Sequence, residues 1–418
     1  FTIDNPLDID RVNCPVVISR EEMPVKNLHE MWATVVDPAL DPRPEPSPEL
    51  LRRQGGHLLR AERNGRMLHY QLDDIDKDGV WDELFFQTDL KAREKRGMYI
   101  YIGFTQRGWM AHGTHAAIGS YCRHLVPFWE SAHVGWKLWY PTSCDVFGKR
   151  MPGLMSNELY MKNLNGYGVP YEYGSDIMRV AWSFGGGGAA LFEYPARPDS
   201  VSIPRFAFTG AEKLSPGNWN EGQLEDTRYA FDVVVNGPVR SMIRVKTMNW
   251  NTPAGSYGME QLYTVYTLQN YSTCRVSFPK FMPRKNGVDF CCGIRKNAAE
   301  FDSFHTDALA LTMGTDELSD PDNPDGKRTL KVDFVGNAIA VKDEYAPEFQ
   351  FVPGFEGNYC FRVPVNDGRS FEYMIFAAWS EGRFLSTPDE FREYVLKSVR
   401  EFNNPVKVRF SGVEKKGE

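Results

Sequence analysis

Short runs of alternating apolar and polar residues dominate the chain. The segments MYIYIGF, VGWKLWY, MRVAWSF, FDVVVNG, SMIRVKTMNW, QLYTVYTLQ, CRVSFPKF, TLKVDFVG, NAIAVKD and FEYMIFAAW are rich in β-branched and aromatic residues. Each is bounded by Gly, Pro, Asn or Asp, which is how strands are punctuated. Helical spacing emerges near the C-terminus, where Thr387-Pro388-Asp389-Glu390 precedes FREYVLKSVREF. A threonine cap, a proline at the first helical position and acidic residues in the first turn predict a helix there. A shorter helix is expected from Pro48 to Arg53; DPALDPRPEPSPE reads as a Pro-rich surface loop and DELSDPDNPDGKR as a second polar loop. No internal repeat and no dividing linker is evident. The expected architecture is therefore all-β, a single domain over residues 1–418 built as a large antiparallel β-sandwich with a C-terminal helix.

Composition narrows the classes of partner. With 418 residues, 42% of them hydrophobic, the chain is long enough to bury a large core. No apolar run approaches the roughly 18–20 residues a membrane-spanning helix needs. The net charge of -7, with no block of Lys and Arg, excludes a nucleic-acid partner, because phosphate binding needs a basic footprint. Seven cysteines are too sparse for a disulfide framework. Cys14, Cys122, Cys144, Cys274 and Cys360 match no zinc spacing, and adjacent Cys291 and Cys292 point to opposite faces of a strand.

Two stretches carry candidate chemistry. In DIDKDGVWDE, Asp74, Asp76, Asp78 and Asp82 occupy positions 1, 3, 5 and 9 of a calcium-type loop, with Gly79 at position 6. Position 12 is Phe85 instead of a bidentate glutamate, so the expected role is a structural calcium site, weighed against a solvated Asp/Gly turn. The second stretch runs from Trp129 to Gly188 and is dense in Trp and Tyr beside Glu130, His133, Asp145, Lys149, Arg150 and Glu172. Rigid aromatic faces next to fixed charges suit a carbohydrate, whose apolar faces stack while its hydroxyls need donors and acceptors. Trp129, Glu130, Trp136, Asp145 and Tyr173 are the candidate substrate contacts. Core packing is the competing explanation for each aromatic. His112 and His115 have a metal-like i, i+3 spacing that equally suits a loop, and Gly185 to Gly188 reads as a bend in a strand.

DDIDKDGVWDELFFQTDL, WES, DVFGKR, GYGVPYEYGSDIMRVAWSFGGGGAAL, NGPVRSMIRV, GIRK and MIFAAWS together resemble the DUF4861 family over most of the chain. The resemblance implies a β-sandwich of the galactose-mutarotase-like kind. It also implies a secreted or periplasmic protein of the Bacteroidetes type, encoded among polysaccharide-degradation genes and acting on carbohydrate. Where the family pattern has Asn-Asp after Trp-Glu, this chain has Ser131-Ala132, and Gly168 and Tyr171 stand near its histidine positions. On such a sandwich the expected chemistry is β-elimination from a uronic-acid-containing glycan, a polysaccharide or oligosaccharide. A base removes the proton beside the carboxylate while a cation neutralises that carboxylate. Lys149 and Arg150 are the candidate cations, Tyr167 and Tyr171 the candidate base or acid, and His133 and His124 the alternative bases. The competing readings are a glycoside hydrolase using Glu130 with Asp145, Glu172 or Asp176, and a glycan-binding protein without catalysis.

Overall fold

The computed structural model describes residues 1–25, 32–42, 48–49, 64–103, 110–121, 124–139, 143–156, 173–180, 183–194, 196, 201–204, 206–208, 227–319, 328–353 and 357–413. The chain divides into two compact units. One comprises Phe1–Gly113, Gly237–Arg240 and Asn404–Glu418; the other comprises Thr114–Asn236 and Ser241–Asn403. No Gly/Ser-rich linker or charge run marks these boundaries, so the pattern of residues reads as continuous.

The first unit holds three-stranded antiparallel sheets. In one, Glu83–Leu90 lies between Arg11–Ser19 and Tyr70–Asp73. Its core gathers Ile3, Val16, Ile18, Val35, Leu84, Phe86 and Met98. Asp73 pairs directly with Glu83, so the acidic loop is the turn of a hairpin. Arg240 Nε donates to Asp73 Oδ2 (2.5 Å) and its Nη2 to Glu83 Oε2 (2.7 Å), which clamps the base of that hairpin.

The second unit is organised on an eight-stranded antiparallel sheet, in spatial order Arg228–Asn236, Arg240–Thr252, Gly255–Tyr266, Tyr271–Pro283, Ser370–Trp379, Arg328–Val341, Leu309–Ser319 and Ala299–His305. The central strand SFEYMIFAAW explains the layering. Phe371, Tyr373, Ile375, Ala377 and Trp379 enter one core with residues of the five- and six-stranded sheets, including Trp129, Trp136, Leu191 and Phe361. Met374, Phe376 and Ala378 enter another with Phe391 and Val395 of the helix. A strand covered on both faces has no polar side to show, hence its nearly unbroken apolar run. The expected antiparallel sandwich and C-terminal helix are thus what forms.

The helix is Pro388–Asn403. Glu390 N–H donates to Thr387 Oγ1 (3.3 Å) and Thr387 N–H to Glu390 Oε2 (3.2 Å), a reciprocal capping box. Phe391 packs so closely on the sheet that a Cβ at Gly336 would lie 2.6 Å from its ring. That glycine lies inside Arg328–Val341, one continuous strand where TLKVDFVG and NAIAVKD read as two. MRVAWSF departs from expectation: Met178–Val180 and Ser183–Phe184 are not strand. Ser183 N–H instead donates to Val180 O (3.1 Å), and the chain turns at Gly185, whose φ is +60°. The short helix expected at Pro48 to Arg53 lies outside the described residues beyond Glu49.

Cys14, Cys144, Cys274, Cys291, Cys292 and Cys360 are buried free thiols. Burial raises Cys144, Cys291 and Cys292 well above the usual thiol range, which keeps them as inert packing residues.

Candidate active site

The five-stranded sheet runs Gly174–Asp176, Ser143–Lys149, Val134–Trp139, His124–Ser131 and Thr114–Tyr121. His133 sits in the tight turn between His124–Ser131 and Val134–Trp139, where Glu130 pairs with Gly135. Its N–H donates to Ser131 Oγ (3.2 Å), and Ser131 Oγ donates to Gln269 O (2.8 Å), so the turn is fixed from two sides. The imidazole Nδ1 lies 2.8 Å from Asn270 Oδ1. A carbonyl oxygen only accepts, so Nδ1 carries the proton and Nε2 keeps its lone pair. Phe384 stacks on the ring at 3.7 Å between centroids. Burial lowers the His133 pKa against the opposing hydrogen bond to Asn270, with Lys149 adding to the lowering. The ring is neutral at neutral pH.

His133 and Asn270 line a narrow cleft together with Trp379, Arg383, Phe384 and Lys149. Two buried polar atoms on this cleft, His133 Nε2 and Trp379 Nε1, have no hydrogen-bonding partner among the described residues. One accepts and the other donates. Leaving both without partners costs free energy that one small polar group, a water included, would recover.

Glu130 and Lys149 form a buried knot beside this cleft. Lys149 Nζ donates to Glu130 Oε2 (2.5 Å), Ser131 O (2.6 Å) and Gly153 O (2.6 Å). All three ammonium protons are used, so the expected role of Lys149 as a cation for substrate is corrected to a structural one. Glu130 also accepts from the N–H groups of Met155 (2.9 Å) and Ser156 (2.8 Å) and lies 3.3 Å from His115 Nδ1. Burial alone would raise its pKa, but Lys149, His115 and the Met155 N–H together hold it at about 2. A carboxylate so occupied is not a substrate contact or a catalytic acid. His115, the second of the spaced histidines, belongs to this knot, with Nδ1 2.5 Å from Ser156 Oγ.

The other predicted residues separate clearly. Arg150 directs Nε to Glu381 Oε2 (2.5 Å) and Nη1 to Ser175 Oγ (3.1 Å), and its guanidinium lies 4.7 Å from the centre of the Trp379 ring. It braces the wall that continues into Arg383 and Phe384, and its fork is committed to Glu381 instead of a substrate carboxylate. Trp129 is fully buried, donates from Nε1 to Ser272 Oγ (3.0 Å) and stacks on Tyr263. Trp136 is equally buried in the same core. Neither offers a face to sugar, because these strands are covered on both faces: the neighbouring Phe128, Glu130 and Lys137 are buried as well. Asp145 is buried against Lys137 Nζ at 3.0 Å. Tyr173 packs on Phe128, Phe147 and Met155. Asp176 Oδ1 accepts from Met178 N–H (3.0 Å). His124 begins its strand, opposite Tyr121. Tyr167, Tyr171 and Glu172 lie outside the described residues.

In the acidic hairpin, Asp74, Asp76 and Asp78 each bring a carboxylate oxygen within 4.8 Å of the others. Their oxygens also accept N–H groups of the loop: Lys77 and Gly79 on Asp74, Asp78 on Asp76, and Val80 on Asp78. Asp82 stands apart from the three. Its Oδ2 accepts from Ile75 N–H (2.7 Å) and Asp76 N–H (3.3 Å), closing the turn from within.

Asn270, Trp379, Arg383 and Phe384 were not among the sequence candidates. The helix cap at Thr387 draws attention to the C-terminal region, but nothing in local spacing places it beside His133.

No curated protein matches the sequence. Among solved structures, the chain is similar to an alpha-mannosidase from Enterococcus faecalis V583, with TM-score 0.44, 8% identity, and coverage of 97% of this chain and 45% of that one. It is likewise similar to a protein in the glycosyl hydrolase family 38 from Enterococcus faecalis, with TM-score 0.44, 9% identity, and coverage of 97% and 46%. The chain spans about half the length of these structures. The family described as a domain of unknown function, DUF4861, matches residues 3–408, and the chain belongs to that family.

Proposed function

We propose that this chain is a carbohydrate-active carbon–oxygen lyase that cleaves uronic-acid-containing glycans, working outside the cytoplasm in the periplasm or after secretion. The observation that carries the reading is the cleft itself: an oriented neutral imidazole with an unused lone pair, an unused indole donor and an exposed arginine on one wall. His133 Nε2 takes the proton beside the substrate carboxylate. Arg383 neutralises that carboxylate, which makes the proton acidic enough to remove. The electron pair forms the new double bond, the C–O bond to the neighbouring unit breaks, and the leaving oxygen takes a proton from solvent. Phe384 supplies the aromatic face for the sugar ring.

Hydrolysis by Glu130 with Asp145 is less well supported, since both carboxylates are buried in ion pairs. The test is incubation with a panel of uronate-containing polysaccharides and oligosaccharides, reading the ultraviolet absorbance of unsaturated uronate and chromatographing the products. Rising absorbance supports elimination. Cleavage without absorbance would replace it with hydrolysis, and binding without cleavage would replace it with a glycan-binding protein.

A structural calcium at Asp74, Asp76 and Asp78 completes the proposal. Their three clustered carboxylates repel one another unless a cation lies between them. Calcium is expected to raise the unfolding free energy, by about 2.7 kcal/mol at a hundredfold excess over Kd. Asp78→Asn should remove most of that gain in thermal melts with and without chelator. An unchanged melt in calcium would leave the loop as a plain hairpin turn.

A further inference from the structure

We propose that Tyr394, on the C-terminal helix, is a positioning residue for His133: its hydroxyl closes a ring of hydrogen bonds that holds the imidazole in one tautomer and one orientation. That the positioned imidazole serves as a base rests on the proposed elimination; the positioning itself does not. His133 Nδ1 donates to Asn270 Oδ1 (2.8 Å). Asn270 N–H donates to Tyr394 Oη (2.9 Å), and Oη donates in turn to Gln269 Oε1 (2.7 Å). Gln269 O accepts from Ser131 Oγ (2.8 Å), which itself accepts His133 N–H (3.2 Å). The ring returns to the residue where it began. Both hydroxyls accept one proton and give one, so the donors and acceptors are consistent all the way round.

Each corner of the ring is set by its own element. Gln269 and Asn270 follow a tight turn between the strands Gly255–Tyr266 and Tyr271–Pro283, in which Gln269 N–H donates to Tyr266 O (3.3 Å) and Leu268 takes a φ of +59°. Asn270 O accepts from Ala377 N–H (3.4 Å), in the strand that ends at Trp379. The Tyr394 ring packs on Tyr271, with 6.4 Å between centroids, and edge-on to Phe376 at 6.3 Å, which fixes where its hydroxyl can reach. Burial pushes the Tyr394 phenol well above its ordinary range, so it keeps the proton it gives to Gln269. Both residues that hold His133, one through its side chain and one through its backbone, bind this one hydroxyl. Gln269 and Asn270 are themselves buried, so water is a poor substitute for it.

The test is Tyr394→Phe, which keeps the packed ring and removes the hydroxyl. Imidazole nitrogen shifts in protein labelled with ¹⁵N-histidine, with His133→Gln to identify the signal, report the tautomer directly. The wild-type chain is expected to show His133 protonated at Nδ1 alone, with a slowly exchanging Nδ1 proton. In Tyr394→Phe that proton should exchange roughly tenfold faster, the scale of one lost hydrogen bond, and the second tautomer should become visible. Turnover of a uronate glycan should fall by roughly tenfold at unchanged KM, since the base is displaced and substrate contacts are not. Tyr266→Phe is the control: it removes a hydroxyl 2.9 Å from Thr273 Oγ1, outside the ring, and should leave the His133 signals as they are. Unchanged His133 signals in Tyr394→Phe, or an equal change in Tyr266→Phe, would overturn the positioning role. If the His133 signals shift as expected but the wild-type chain eliminates no uronate glycan, the positioning role holds and the elimination reading fails.

Discussion

Replacing Lys149 with methionine is expected to destabilise the fold by about 3–5 kcal/mol, the cost of leaving a buried carboxylate without its cation. Glu130 is fully buried, and its strongest partner is the Lys149 ammonium. The methionine chain fills similar space but offers no proton to Glu130, Ser131 O or Gly153 O. The loop at Gly153 to Ser156, held by those contacts, should loosen with it. Denaturant unfolding monitored by tryptophan fluorescence measures the loss. The double variant Glu130→Gln, Lys149→Met should recover a good part of it, since no charge remains buried. A loss below about 1 kcal/mol, the scale of an exposed ion pair, would contradict the structural role and return Lys149 to the list of substrate contacts.

The same knot sets an acid limit. The Glu130 pKa is lowered from 4.5 to about 2, so the folded state binds its proton less readily than the unfolded state. The associated stability is fully present above 4.5 and is lost as pH falls towards 2. It amounts to about 3 kcal/mol. Glu130→Gln should flatten that part of the stability profile.

The second large effect concerns His133. On the proposed reaction, His133→Gln should lower turnover by about 10²–10⁴-fold, the usual contribution of a positioned general base. Binding should change far less, because the amide occupies similar space beside Phe384 and Asn270. The pH profile offers a check that a merely structural histidine would not meet. Burial lowers the pKa of His133, so the base form persists below the ordinary histidine range. The acidic limb of kcat/KM should therefore fall at lower pH than an exposed histidine would give. Asn270→Asp would place a carboxylate against Nδ1, raise the pKa and move that limb upward. Unaltered turnover in His133→Gln would remove the histidine from the mechanism.

Arg150 illustrates how much of a site depends on partners remote in sequence. A surface-like Lys-Arg pair at the end of a strand looks like two cations available to substrate. Folding brings Glu381 to Arg150 and Glu130 to Lys149, at sequence separations of 231 and 19 residues. Both positive charges are spent within the protein. Among the described residues, the cation left on the cleft is Arg383, which carries no local motif. Trp129 and Trp136 went the same way: an aromatic cluster reads alike whether it faces sugar or core, and here Tyr263 and Ser272 from the opposite sheet claim Trp129.

What the sequence determined by itself was whatever depends on neighbours a few residues apart. Alternation every second residue set the strands, Thr387 and Glu390 set the start of the helix, and the Asp-Gly spacing set the tight hairpin after Asp73. These are local because backbone geometry repeats over two to four residues. Tertiary structure alone decided which charged and aromatic groups have unused valence. His133 became a candidate base because Asn270, 137 residues away, orients its ring, and its cleft formed because a strand ending at Trp379 and the turn after it arrive beside that ring. Satisfaction of a polar group is a property of every atom within hydrogen-bonding reach, and those atoms are assembled only when distant strands pack.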